Sequence, residues 1–233
     1  MYPMFGACFT PVAGGATYKL GEIKPTGITP DDAIQIIDGN DLSLVTGLYA
    51  YLDPEYVPGE EELAGWYDVL NGFVGDPTYK ADDVDIKVGQ AFLGNILTGA
   101  TPTFQFAGEA PTVTTSVSSE GAMYPFFANY IPRAIPLNWR VPAGITPDDA
   151  IQVIDGNDLS LVTGLYAYLD PEYVPGEEEL AGWYDVLNGF VGDPSYKIGD
   201  DLLIQPGDGF LGNILTGVTV NFQFPSSTKE IAK

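Results

Sequence analysis

The chain has 233 residues, 45% hydrophobic and 12% aromatic, which is enough apolar material for packed cores and excludes disorder as a global state. Nine basic residues stand against 32 acidic ones, a formal charge of -23 that repels phosphate backbones and anionic lipid surfaces and so excludes nucleic acid as a partner. With no histidine and a single cysteine, Cys8, the sequence excludes His-based triads, the usual zinc sites and any intrachain disulfide.

The start, Met1-Tyr2-Pro3-Met4-Phe5, lacks the basic region and long apolar run of a signal peptide, so the numbering is expected to begin inside a longer precursor. No stretch approaches the roughly 18 apolar residues of a spanning helix. Cys8 lies in the apolar run Phe5-Gly6-Ala7-Cys8-Phe9 and reads as a small buried residue, an intermolecular disulfide being the alternative. Residues 28–37 predict a short helix, with Thr29 as N-cap, Pro30 at the first helical position and Asp31 and Asp32 at the positive end of the dipole. Asp38-Gly39-Asn40-Asp41 ends it. Residues 42–52 are rich in β-formers and alternate at Leu48-Tyr49-Ala50-Tyr51-Leu52, which predicts a strand. The stretch 65–70, Asn71-Gly72 and Phe73-Val74 together predict a hairpin, because Asn-Gly suits the two positive-φ positions of a type I′ turn. Residues 92–97 and 101–106 predict two further strands.

A duplication organises the whole chain. Residues 27–80 recur as 144–197 with 52 of 54 positions identical, the exceptions being Ile36 against Val153 and Thr78 against Ser195. Beyond this block Phe92-Leu93-Gly94-Asn95-Ile96-Leu97-Thr98-Gly99 returns at 210–217, Phe104-Gln105-Phe106 at 222–224, and Met1-Tyr2-Pro3 at 123–125. Each 54-residue copy carries 11 acidic residues against one Lys, so the two account for -20 of the -23. The expected fold is mainly β: two tandem, near-identical β-sandwich or barrel-like domains, each with one short helix. The first spans 1–106 and lacks a first strand. The second spans 107–233, with 107–122 as strand or linker, strand-like at Thr112-Val113-Thr114-Thr115-Ser116-Val117, and 225–233 as a tail.

Three kinds of site are candidates. Asp38, Asn40 and Asp41, with Asp155, Asn157 and Asp158 in the second copy, gather hard oxygen donors on one tight loop suited to calcium, and Glu60, Glu61 and Glu62 lie on another. The spacing does not fit an EF-hand, and the competing reading is a solvating acidic surface. No cofactor other than that calcium is expected. Tyr49, Tyr51, Tyr56, Trp66, Tyr67 and Tyr79, repeated as Tyr166, Tyr168, Tyr173, Trp183, Tyr184 and Tyr196, suit sugar-stacking platforms with Asp53 and Asp68 as hydroxyl acceptors, or else cross-strand packing. A glycosidase needs a carboxylate pair at a set separation, and nothing singles one out, so the chain reads as non-enzymatic.

The order Leu20-Gly21-Glu22-Ile23-Lys24, Tyr49-Ala50-Tyr51-Leu52-Asp53, Gly65-Trp66-Tyr67-Asp68, Gly89-Gln90-Ala91-Phe92-Leu93-Gly94-Asn95 and Phe104-Gln105-Phe106-Ala107-Gly108-Glu109 resembles tandem β-repeats in uncharacterised secreted or surface proteins of verrucomicrobial-type bacteria. The resemblance covers most of each repeat. The second departs from it, with Leu137-Asn138-Trp139-Arg140-Val141 in place of 20–24. It implies an extracellular location and a structural role, and carries no catalytic residue. The expected function is therefore a structural subunit of an extracellular surface layer or filament, a polymeric homo-oligomer built head to tail. Thr228, Lys229, Ile231 and Lys233 would dock on the acidic body of the next subunit, completing an open sheet edge. The alternatives are a tandem adhesion or carbohydrate-binding module with a glycan partner, and a viral decoration protein.

Overall fold

The computed structural model describes residues 4–6, 17–105, 109, 115–129, 133–155 and 158–224. It is mainly β, and none of its helices reaches seven residues. The first repeat runs β1 (Met4–Gly6), β2 (Thr17–Lys19), β3 (Lys24–Thr26), β4 (Ala33–Asp38), β5 (Asp41–Leu52), β6 (Gly65–Asp68), β7 (Asp85–Lys87), β8 (Ala91–Asn95) and β9 (Thr103–Gln105). Five of these form one antiparallel sheet in the order β1-β8-β4-β5-β6. The predicted strand at 42–52 is β5, whose Tyr49 pairs with Ile34 and Tyr51 with Trp66.

The helix expected over 28–37 is instead a turn followed by β4. Pro30 and Asp31 sit at the corner, the Asp32 N–H closes onto the Thr29 carbonyl at 3.0 Å, and the β-branched Ile34, Ile36 and Ile37 continue as a strand. Asp38 and Asp41 pair across Gly39 and Asn40, so the tight hairpin is β4–β5 and not the one expected at Asn71-Gly72. After β6 the Asp68 carboxylate instead accepts the Leu70 N–H at 3.0 Å and the Asn71 amide N–H at 2.7 Å, folding 69–72 into a side-chain-held loop. Gly72 lies under the Tyr79 ring, where a Cβ would overlap it.

Two short ribbons, β2–β7 and β3–β9, cover one face of the five-stranded sheet and make the arrangement sandwich-like. Between the layers Trp66 is fully buried. Its indole N–H donates to the Ile23 carbonyl at 2.9 Å, its ring meets Tyr51 edge-on at 5.2 Å and it stacks on Phe104 at 6.5 Å. Among the described residues no sheet closes into a barrel, so the barrel-like alternative falls.

After an added strand, β10 (Thr115–Ser118), the second repeat follows the same order: β11 (Phe126–Ala128), β12 (Ile135–Pro136), β13 (Pro142–Ala143), β14 (Ala150–Asp155), β15 (Asp158–Leu169), β16 (Gly182–Asp185), β17 (Leu203–Ile204), β18 (Gly209–Asn213) and β19 (Asn221–Phe224). Its main sheet is β11-β18-β14-β15-β16, and β12–β17 matches β2–β7. The strand expected near 112–117 is β10, which pairs with β19 beside β13, a three-stranded sheet where the first repeat has β3–β9. Thr112, Val113 and Thr114 lie outside the described residues, as does Cys8.

The two main sheets meet along β1 and β11. Gln90 bridges Phe127, and the Ala128 N–H donates to the Gly89 carbonyl at 2.8 Å. The segment before β11 lies on the first repeat: the Tyr124 N–H donates to the Gly39 carbonyl at 2.6 Å, and Lys87 pairs with Glu120 at 2.8 Å.

Candidate functional site

The loop read as a calcium site turns its oxygens on itself. Asp38 accepts the Asn40 N–H at 2.7 Å, and Asp41 accepts the Ser43 hydroxyl at 2.6 Å and N–H at 3.0 Å, bonds that hold the Asp41 carboxyl below its usual value. The Asn40 side-chain oxygen faces the Met123 N–H of the second repeat at 3.4 Å. Asn157 and the side chains of Asp155 and Asp158 lie outside what the structure describes. On the other acidic loop Glu61 accepts the Gly59 N–H at 3.0 Å. Among the described residues no three or more acidic or thiol groups converge as a metal site. With -20 concentrated in two copies, stability is expected to rise with ionic strength, because the Debye length falls from about 30 Å at 0.01 M salt to about 8 Å at 0.15 M. A gain near 1 kcal/mol raises the melting temperature by about 2–4 °C in a chain of this length. Thermal melts in sodium chloride and in calcium chloride at matched ionic strength should coincide; a further rise with calcium would show specific ion sites.

The aromatic set divides by burial. Tyr49, Trp66 and Tyr67 are buried, and so are Tyr168, Trp183 and Tyr184. Burial pushes the Tyr49 and Tyr51 phenols up, and the nearby Asp68, and for Tyr51 Asp53 and Asp82, add to it. These rings are core, not platform. Asp53 accepts the Glu55 N–H at 2.9 Å and Asp68 holds its own loop, so both proposed hydroxyl acceptors serve turns.

The exposed aromatic rings among the described residues lie at the edge around β6 and at its counterpart in the second repeat. Phe73 is 66% exposed and packs on Tyr79, ring centroids 6.1 Å apart, while Leu70 on the same loop and Tyr56 on the loop before β6 are also exposed. Asp76 fixes the turn beneath Tyr79 by accepting the Thr78 N–H at 2.9 Å. The Lys80 ammonium joins the two loops, donating to the Glu62 carbonyl at 2.8 Å and pairing with Asp82 at 3.5 Å. The second repeat reproduces this edge with Phe190, also 66% exposed, at 6.3 Å from Tyr196. The Asn-Gly signal, read as a hairpin, hid these phenylalanines, although their flanking Gly-Phe-Val-Gly-Asp-Pro is visible in both copies.

Other features escaped sequence reading. Asp32 and Asp149 are buried clasps between distant loops. Where the first repeat buries Ile23, the second buries Arg140, whose guanidinium lies 4.6 Å from the Phe210 ring centre. Burial pushes the nearby Asp208 carboxyl up, offset in part by the Gln205 N–H and the Arg140 charge. Two open clefts flank the junction. One of about 560 Å³ is lined by Ile36, Lys87, Glu120 and Phe126, the other of about 470 Å³ by Met4, Val153, Tyr166 and Asp208. Among the described residues no helix is long and apolar enough to cross a membrane. Thr228, Lys229, Ile231 and Lys233 lie outside the described residues. The chain matches no family model, no curated protein and no solved structure.

Proposed function

We propose that the chain is a non-catalytic structural subunit of an extracellular surface assembly, built of two tandem domains of one fold. The observation that carries this reading is how the repeats join: their two separate main sheets meet at one side through a few main-chain contacts, Gln90 to Phe127, Ala128 to Gly89 and Tyr124 to Gly39. Two modules joined in this way form one two-domain building block, and a larger array would be built through the surfaces that the joint leaves free. The acidic, histidine-free surface suits a salty extracellular medium. Negative-stain microscopy of the purified full chain, from 0.01 to 0.5 M salt, tests the reading. Ordered layers or fibres that grow with ionic strength are expected. Monodisperse single particles throughout, with no ordered species, would overturn self-assembly as its role.

A further inference from the structure

At the junction, equivalent positions of the two repeats face each other. Gly6 and Ala128 are the third residues of β1 and β11, paired with Ala91 and Gly209 respectively. A Cβ on Gly6 would overlap that of Ala128, and one on Gly209 would lie 3.2 Å from that of Ala91. That two separate pairs of counterparts, 6 with 128 and 91 with 209, both meet is the arrangement of a two-fold, self-complementary contact, which closes and does not propagate. The small residues Gly6, Ala128, Ala91 and Gly209 permit the close approach. This joint is therefore a closed pair held within one chain, and further contacts of the molecule must use other surfaces.

The strand order places those surfaces. In each main sheet β6 or β16 is the edge opposite β1 or β11, with three strands intervening at about 4.8 Å spacing. The two edges bearing Phe73 and Phe190 are thus turned away from each other at the far sides of the pair. Their backbone is already covered, since Tyr67 bridges Lys80 and the Trp66 carbonyl accepts the Ala81 N–H at 2.7 Å, so recognition there falls to side chains. What they offer is an exposed ring held by Tyr79 over Gly72, within a copy that carries 11 carboxylates and one Lys that is already tied to Glu62 and Asp82. The two copies share this outer edge almost residue for residue, while the joint differs: Met4 and Gly6 against Phe126 and Ala128, Gln90 and Ala91 against Asp208 and Gly209.

We propose that the chain is a bivalent connector whose two outer edges each bind a basic protein segment, seating an apolar side chain on Phe73 or Phe190 while lysine or arginine neighbours meet the exposed Glu60, Glu61 and Glu62 of the loop that Lys80 ties to this edge, or their counterparts Glu177, Glu178 and Glu179. Charge selects the partner: an exposed apolar ring in an acidic field favours a cationic, apolar segment over a second copy of this acidic chain. The inference deepens the structural reading above, but its test is independent, because binding is measured on the unassembled chain.

The probe is a synthetic octapeptide alternating lysine and leucine, titrated calorimetrically into the full chain at 0.15 M salt. Two peptides per chain are expected. Phe73→Ser or Phe190→Ser alone should leave one, and the double variant should weaken binding at least tenfold, with far-UV circular dichroism unchanged because both rings are solvent-facing. An all-lysine octapeptide should bind at least tenfold more weakly. Two copies of the alternating peptide joined by a flexible linker should cross-link the wild type into large scattering species but not either single variant. A single site, no site, equal binding of the all-lysine peptide, or double-variant binding equal to wild type would each overturn the proposal. So would a neutral glucan oligosaccharide that occupies the same ring in place of the peptide, or a wild-type self-dimer lost in the double variant. Ordered arrays in microscopy without peptide binding would remove the connector and leave the structural reading.

Discussion

Trp66→Ala is expected to cost about 3–5 kcal/mol and to unfold the first repeat ahead of the second. The indole is fully buried between the main sheet and the β3–β9 ribbon, so truncation leaves a large void that the flanking Tyr51 and Phe104 rings cannot fill without leaving their own strands. It also strands the Ile23 carbonyl, which receives the indole N–H at 2.9 Å. Trp66→Phe keeps most of the volume and loses that hydrogen bond, for a smaller cost of about 1–2 kcal/mol. Trp183 holds the same place in the second repeat, its N–H donating to the Arg140 carbonyl at 2.7 Å and its ring 5.3 Å from Tyr168. Urea unfolding of Trp66→Ala, followed by fluorescence of the remaining Trp139 and Trp183, both in the second repeat, should therefore show the second repeat melting near its wild-type midpoint while circular dichroism reports an earlier loss. A single shared transition at a lowered midpoint would show instead that the joint couples both repeats into one cooperative body.

The strand β5 was legible because alternation over 48–52 carries its own period, and the duplication was legible because it is a property of letters alone. The turn at 29–32 was not. Thr-Pro-Asp-Asp is the same string at a helix N-terminus and at a reverse turn, and Asp32 accepting the Thr29 hydroxyl and N–H fits both; what decides is that Ala33–Asp38 then pairs with β5 and β8. Asn71-Gly72 failed for a related reason: the Asp68 carboxylate, three residues upstream, captures the N–H groups that a hairpin ladder would have used. Of the candidate sites, periodicity placed Tyr49 and Tyr51 on one face but could not say that the face points inward, because that depends on β2, β3, β7 and β9 folding over it. The acidic loop residues were identifiable by type, but whether carboxylates converge or bend back to their own backbone is a matter of a few torsions. The joint was the least legible feature, since only Phe5 and Phe127 match across its strands.

Asp32→Asn should lower stability by about 2–3 kcal/mol at pH 7, and the loss should vanish in acid. The carboxylate is buried where the turn before β4 meets the loop between β8 and β9. One oxygen accepts the Leu97 and Thr98 N–H groups at 2.9 and 3.1 Å, the other the Thr29 N–H at 3.2 Å, and both the Thr98 hydroxyl at 3.0 and 2.8 Å. An asparagine must direct its own NH₂ at one set of these donors. Burial alone would raise the Asp32 carboxyl, but the Thr98 and Thr29 hydrogen bonds outweigh it and the value falls below the usual aspartate range. A carboxyl depressed in the folded state adds stability at pH values above its unfolded value, near 3.9, and that contribution is lost as pH falls through the folded value. Wild type and Asp32→Asn should therefore differ most in melting temperature at neutral pH and converge as pH falls below the usual aspartate range and through the lowered folded-state value. Asp149 makes the matching bonds to Thr146 and Thr216, so Asp149→Asn should destabilise the second repeat at pH 7 by a similar amount. A gap between wild type and Asp32→Asn that stays constant from pH 7 to pH 2.5 would mean that packing at the clasp, rather than its ionised acceptor, holds the two loops together.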